Sequence, residues 1–204
     1  MTQLAPSPEP GLRERKKRAT RRALQRAALH LVAESGLEQV TVEEIAAEAD
    51  VSPRTFFNYF ATKEDALSAV DPEAVAESCA ALAARPAEEA PLEALRAVFL
   101  WRAEQTVIDA EFWRYRAVVA QAYPDLFARV LGASVAADHQ IAQVLGERMG
   151  VDARTDPRPL LLAGVSSVAR RTAMQLWLAG GQRQNLAAVL AECFDEVATL
   201  AAID

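Results

Sequence analysis

Apolar positions recur along most of this chain with a helical period. Leu24, Ala27, Ala28, Leu31 and Val32 fall at i, i+3, i+4, i+7 and i+8, one face of a helix predicted over residues 12–35. Gly36 stands where a left-handed C′ residue closes a helix, and Leu37 is placed to fold back on Val32. Three helix starts then follow in quick succession. Thr41 and Glu44 have the spacing of a capping box, with Val40 and Ile45 as its hydrophobic staple. Ser52 precedes Pro53, a capping residue before a proline at the first helical position, and Val51 and Phe56 form a second staple. Thr62 is placed to cap a third helix, with Asp65 at N3. The first two of these helices are predicted over 42–49 and 53–60, with only Asp50, Val51 and Ser52 between them. Two short helices joined by so short a turn, behind a longer one, make the helix-turn-helix layout.

From Lys63 the pattern reads as longer helices, beginning with a connecting helix to Ala84. Breaks are expected at 86–91, 109–110, 123–124, 150–159 and 180–181. Alanine and leucine dominate and β-branched runs are few, so the expected fold class is all-α, with about nine helices. The expected domains are a disordered leader over 1–11 with Pro6, Pro8 and Pro10, a three-helix helix-turn-helix domain over 12–62, and a helical domain over 63–204.

Composition changes this picture at one end. The net charge is −6, yet Arg13, Arg15, Lys16, Lys17, Arg18, Arg21, Arg22 and Arg26 crowd the start of the first helix, opposed only by Glu14. A basic arm on an acidic body points to a polyanion at one face. Cys79 and Cys193 lie far apart inside helical patterns and read as free thiols in a reducing, cytoplasmic compartment. No apolar run approaches a membrane span, and no secretory signal is visible. His30 and His139 are far apart and outside any metal-like cluster. With no phosphate-binding glycine loop and no nucleophile elbow, neither enzyme, metal nor cofactor is expected.

The run from Thr41 to Leu67, TVEEIAAEADVSPRTFFNYFATKEDAL, closely resembles the DNA-binding domain of TetR-type (tetracycline-repressor-like) regulators, and the resemblance extends back to about Arg13. The residues themselves agree with it. Arg54, Thr55 and Asn58 lie on the outward face of the second short helix, where arginine can pair with guanine and asparagine with adenine. Thr41, Ser52, Tyr59 and Lys63 sit at helix ends or edges, where hydroxyls, N–H groups and the ammonium can hold phosphates. The resemblance implies that these are DNA-contacting positions. Two positions depart from the family pattern. Asp50 replaces a common glycine in the turn, and Phe57 replaces a common tyrosine, losing a hydroxyl that could reach a phosphate.

Further along, Leu160 to Leu178 is strongly apolar, and Leu186, Val189, Leu190, Cys193, Val197 and Leu200 form a stripe on the last helix. The resemblance implies a homodimer built from the last two helices, binding a palindromic double-stranded operator. Phe99, Trp101, Phe112, Trp113, Tyr115, Tyr123 and Phe127 gather in the middle of the chain, as either an ordinary core or the lining of a ligand cavity. The cavity reading names Trp101, Gln105, Phe112, Tyr115, Arg116 and Trp177 as ligand-binding. With Arg102, Arg114, Arg170 and Arg171, these residues resemble a branch of the family whose C-terminal domain senses acyl-CoA. The expected function is a ligand-responsive dimeric repressor, released from its operator by a small apolar or acylated effector. The alternative is a helical small-molecule carrier or interaction module whose basic arm meets lipid or acidic protein.

Overall fold

The computed structural model describes residues 11–67, 71–105, 110–181 and 183–201. The expected leader lies outside these, apart from Gly11. The described residues form ten α-helices and one 3₁₀ turn, without strands: α1 Leu12–Ser35, the 3₁₀ turn Leu37–Gln39, α2 Val42–Glu48, α3 Pro53–Phe57, α4 Lys63–Leu67, α5 Pro72–Ala83, α6 Pro91–Gln105, α7 Ala110–Ala122, α8 Pro124–Met149, α9 Pro157–Ala179 and α10 Leu186–Ala201. The single connecting helix expected from Lys63 to Ala84 is instead two, α4 and α5. The reason is local: Asp71 accepts the Glu73 N–H at 3.1 Å and Pro72 occupies a first helical position, so a new helix starts there.

Two compact units result. The first holds α1–α4, α7 and the opening turns of α8. Its core is made of Leu24, Ala27, Ala28, Leu29 and Val32 of α1, Val40, Ile45, Ala46, Phe56, Phe60, Ala66 and Leu67 from the short helices, and Tyr115 and Val119 of α7. Leu31, expected among the buried residues, is partly buried, and Leu29 takes the deeper place. Gly36 has a positive φ of 85°, but its ψ of 152° is extended rather than left-handed. That combination is essentially reserved to glycine, and it turns the chain sharply from α1 into the 3₁₀ turn. The Tyr123 hydroxyl closes this corner, accepting the Leu37 N–H at 2.8 Å. A Cβ at residue 36 would meet that hydroxyl at 3.3 Å.

The second unit holds α5, α6, the rest of α8, α9 and α10. Leu82, Leu95, Val98, Leu145, Ala163, Trp177, Leu190 and Phe194 are among its buried residues. Phe99 and Phe194 stack with ring centres 6.3 Å apart. Phe194, absent from the stripe expected on the last helix, is 1 % exposed, whereas Leu200, at the far end of that stripe, is 65 % exposed. Arg148 of α8 holds the chain end of α5 by donating to the carbonyls of Leu82, Arg85 and Pro86.

Replacing Tyr123 by phenylalanine removes the acceptor of the Leu37 N–H without changing the ring. We expect a loss of about 1 kcal/mol or somewhat more in unfolding free energy, read as a lower urea midpoint at unchanged slope.

Candidate nucleic-acid interface

The helix-turn-helix is fastened at each start by side chains that the sequence supplies. The Thr41 hydroxyl accepts the Glu44 N–H at 3.2 Å, and the Glu44 carboxylate accepts the Thr41 N–H at 2.8 Å. This complete capping box holds the Glu44 carboxyl below its ordinary pKa, through the backbone bond first and the Thr41 hydroxyl second. The chain then leaves α2 through Asp50, whose φ of 54° is the left-handed conformation that an aspartate tolerates. The Val51 N–H returns to the Ala46 carbonyl at 2.9 Å, so the turn stays tight. Ser52 caps α3, accepting the Thr55 N–H at 3.1 Å, and its hydroxyl also meets the Thr55 hydroxyl at 2.9 Å.

Helix α3 is shorter than expected, ending at Phe57, but its geometry continues. Asn58 keeps helical angles, and the Asn58, Tyr59 and Phe60 N–H groups still bond back to Thr55 and Phe56. The buried side of this element is Phe56 and Phe60. Its other side leaves Arg54, Phe57 and Asn58 exposed, with Thr55 half-buried beside them. Arg54 and Asn58 are four residues apart and stand one turn above the other. Phe57, 57 % exposed, lies edge-on to buried Phe56 and brings an apolar surface into this polar row. An aromatic ring there can touch a thymine methyl, although it offers nothing to a phosphate.

The basic arm divides into two kinds of residue. Arg13, Arg15, Lys16, Lys17 and Arg22 are exposed along α1. Arg21 instead donates to the Tyr59 carbonyl at 3.3 Å and lies 4.5 Å over the Phe60 ring, bracing the end of α3. Arg26 pairs with Glu111 of α7 at 2.7 Å. Lys63 also has structural work: its ammonium donates to the Leu37 and Val40 carbonyls at 2.7 and 2.9 Å, at the same corner that Tyr123 closes. Sequence spacing offered no signal for these long-range bonds, because a cation that braces a carbonyl and one that awaits a phosphate read alike.

Residues 24–70 match the family described as bacterial regulatory proteins, tetR family, and residues 89–202 match the MftR C-terminal domain. The transcriptional regulator TcmR of Streptomyces glaucescens is 36 % identical over 178 residues, covering 82 % of this chain and 77 % of that protein. The chain belongs to the TetR family. Solved structures with the same fold include the fatty acid degradation regulator FadR of Bacillus halodurans, at a TM-score of 0.52 and 19 % identity, covering 86 % of this chain and 93 % of that one. SmeT, the repressor of a multidrug efflux pump in Stenotrophomonas maltophilia, superposes with a TM-score of 0.52 at 17 % identity, covering 90 % of this chain and 91 % of that one. This TetR-family protein is therefore a DNA-binding transcriptional regulator and not an enzyme, and the carrier reading is not favoured.

The six residues expected to bind ligand fall in both units. Phe112 and Tyr115 pack into the core that holds α1, with Tyr115 tilted against His30 at 5.0 Å. The Arg116 guanidinium lies over the Trp113 ring at 5.5 Å. In the other unit, Trp101 is half-buried, and Trp177 is buried with its indole N–H donated to the Gln184 carbonyl at 2.9 Å. The side chains of Gln105 and Phe127 lie outside the described residues. Among the described residues no helix is long and apolar enough to cross a membrane.

Base-reading and phosphate-holding side chains should separate in binding measurements. Arg54→Ala and Asn58→Ala should each relax base preference by about 1–3 kcal/mol. Lys63→Ala should weaken all duplexes alike and also lower thermal stability, because its two carbonyl bonds are lost. Competition assays against single-base operator variants, with melting curves of the same proteins, check both.

Proposed function

We propose that this regulator is a repressor that binds a palindromic or near-palindromic operator as a homodimer, reads it with the outward side of α3, and leaves it when a small apolar or acylated effector binds. The observation that carries the reading is the exposed row of Arg54, Phe57 and Asn58 on a short helix fastened at both ends. A row of that kind gains little for folding and suits a major groove. In this reading Thr41, Ser52, Thr55, Tyr59 and Lys63 flank the row at the phosphates. The protein works in the cytoplasm, beside its DNA.

The dimer is proposed to form on α9. Leu161, Val165, Val168 and Leu176 follow one side of that helix and are all exposed, while Ala163, Ser166, Ala173 and Trp177 on the other side are buried. An exposed, largely apolar side of this length suits a second copy of the chain, and a two-fold axis makes that side its own partner. Two reading helices would then enter major grooves separated by one helical turn, roughly 34 Å, or a small multiple of it.

For the effector, Trp101, Gln105 and Trp177 are the expected ligand residues that belong to the second unit, and they are retained as proposed contacts. Phe112, Tyr115 and Arg116, the other three expected ligand residues, belong to the DNA-reading unit. An acyl chain remains the proposed apolar body. The likeness to FadR and SmeT is a likeness of fold and does not choose among ligands.

Val168→Glu places a charge in the stripe without touching α3. Light scattering should report a monomer, and operator affinity should fall about 100-fold as the second half-site stops contributing. For the effector, a titration of acyl-CoAs and free fatty acids should lower operator affinity by about 5–150-fold, the range of a 1–3 kcal/mol coupling. Binding of these compounds with unchanged operator affinity would end the effector reading.

A further inference from the structure

We propose that the exposed ring of Phe57 reads the C5-methyl group of a thymine in each operator half-site, so that this regulator selects thymine at one symmetric position by apolar contact. The inference rests on the reading of the protein as a symmetric operator-binding regulator, and it names the base feature that one side chain of α3 recognises.

A lone exposed apolar side chain is ordinary on a protein surface. What distinguishes Phe57 is its company. Among the described residues every other phenylalanine, tyrosine and tryptophan is buried or half-buried, whereas Phe57 is exposed. Packing does not call for it, because Phe56 and Phe60 already fill the space behind this element. The ring is held in place all the same. It stands edge-on to buried Phe56, with ring centres 5.5 Å apart and planes at 86°, a favourable aromatic geometry. Phe57 is three residues after Arg54 and next to Asn58, both exposed. At 3.6 residues per turn it stands about 60° round the helix from Arg54, on the flank away from Thr55. The reading surface thus carries polar groups along its middle and a fixed hydrocarbon edge on one flank.

The chemistry of the groove selects what meets that edge. Phe57 has no hydroxyl to offer a phosphate. Of the four bases, thymine alone presents a methyl group in the major groove; the others present polar groups or a bare ring carbon there. A ring fixed beside Arg54 complements thymine for that reason. Side chains at i and i+3 have Cβ atoms about 5–6 Å apart, and successive base pairs rise about 3.4 Å. The thymine therefore lies within about two base pairs of the base met by Arg54.

The test uses the full-length protein and duplexes that it recovers from a random pool, with uracil replacing thymine at one symmetric pair of positions at a time. Uracil keeps every hydrogen-bonding group of thymine and lacks only the methyl. One pair of positions, within about two base pairs of those at which Arg54→Ala loses preference, should be sensitive. There the parent should bind about fourfold more weakly for each methyl removed, the factor that burial of one such group brings. Phe57→Ala should bind the thymine and uracil duplexes alike at those positions, and Phe57→Leu should keep part of the preference. Changing the pair to C·G and then methylating the cytosine at C5 should recover a similar factor for the parent and none for Phe57→Ala. Melting curves of both variants should stay near the parent's, because the ring is exposed. A uracil scan without a sensitive position, or an equal uracil penalty in the parent and in Phe57→Ala, overturns the proposal. If that happens while Arg54→Ala and Asn58→Ala still relax base preference, the operator reading stands and only the methyl contact is lost. A pool that yields no preferred duplex removes the operator reading, and the methyl contact with it.

Discussion

The DNA-reading unit depends on burying two helices too short to stand alone. Helices α2 and α3 have seven and five residues, well under the length at which an isolated helix holds in water. Their stability has to come from packing, and the three N-terminal helices do not provide all of it. Tyr115 and Val119 of α7 enter the same core as Leu24, Ile45 and Phe56. With those side chains in place, the other side of α3 is free to be polar. The exposed row of Arg54, Phe57 and Asn58 is thus a consequence of what is buried behind it.

The same economy governs the charges. A chain of net charge −6 crowds eight of its 22 lysines and arginines between Arg13 and Arg26, but some of its cations are used on the protein itself. Arg21 holds the end of α3 by its carbonyl and by the Phe60 ring. Lys63 and Tyr123 both grip the Gly36–Val40 corner, one through carbonyls and one through an N–H. Fixing a reading helix in this way reduces the ordering cost that would otherwise be met on binding DNA.

Much of this unit was legible in the sequence because its signals are local. Thr41 with Glu44, Ser52 with Pro53, and Thr62 with Asp65 each form a cap within a few residues, and all three are present. Asp50 takes the left-handed angle expected at the turn. What escaped was long-range. Nothing near Tyr115 announces that it will pack beside His30, and nothing near Lys63 names the carbonyls it bonds. The division of the connecting helix was written locally, in Asp71 and Pro72, but the helical period runs through both residues and masked it. On α9 the apolar residues were visible, yet periodicity alone did not say which side would be buried. Only the burial pattern shows Ala163, Ser166, Ala173 and Trp177 on the inner side.

The central claim is that the outward side of α3 reads DNA in a symmetric pair. Selection of bound duplexes from a random pool by the full-length protein tests it most directly, with Asn58→Ala and Arg54→Ala carried through the same selection. The account predicts an inverted repeat with half-site centres a whole number of helical turns apart, and a loss of preference in both half-sites at the same symmetric position for each variant. A single asymmetric site, or an unchanged motif for Asn58→Ala together with an unchanged motif for Arg54→Ala, would contradict it.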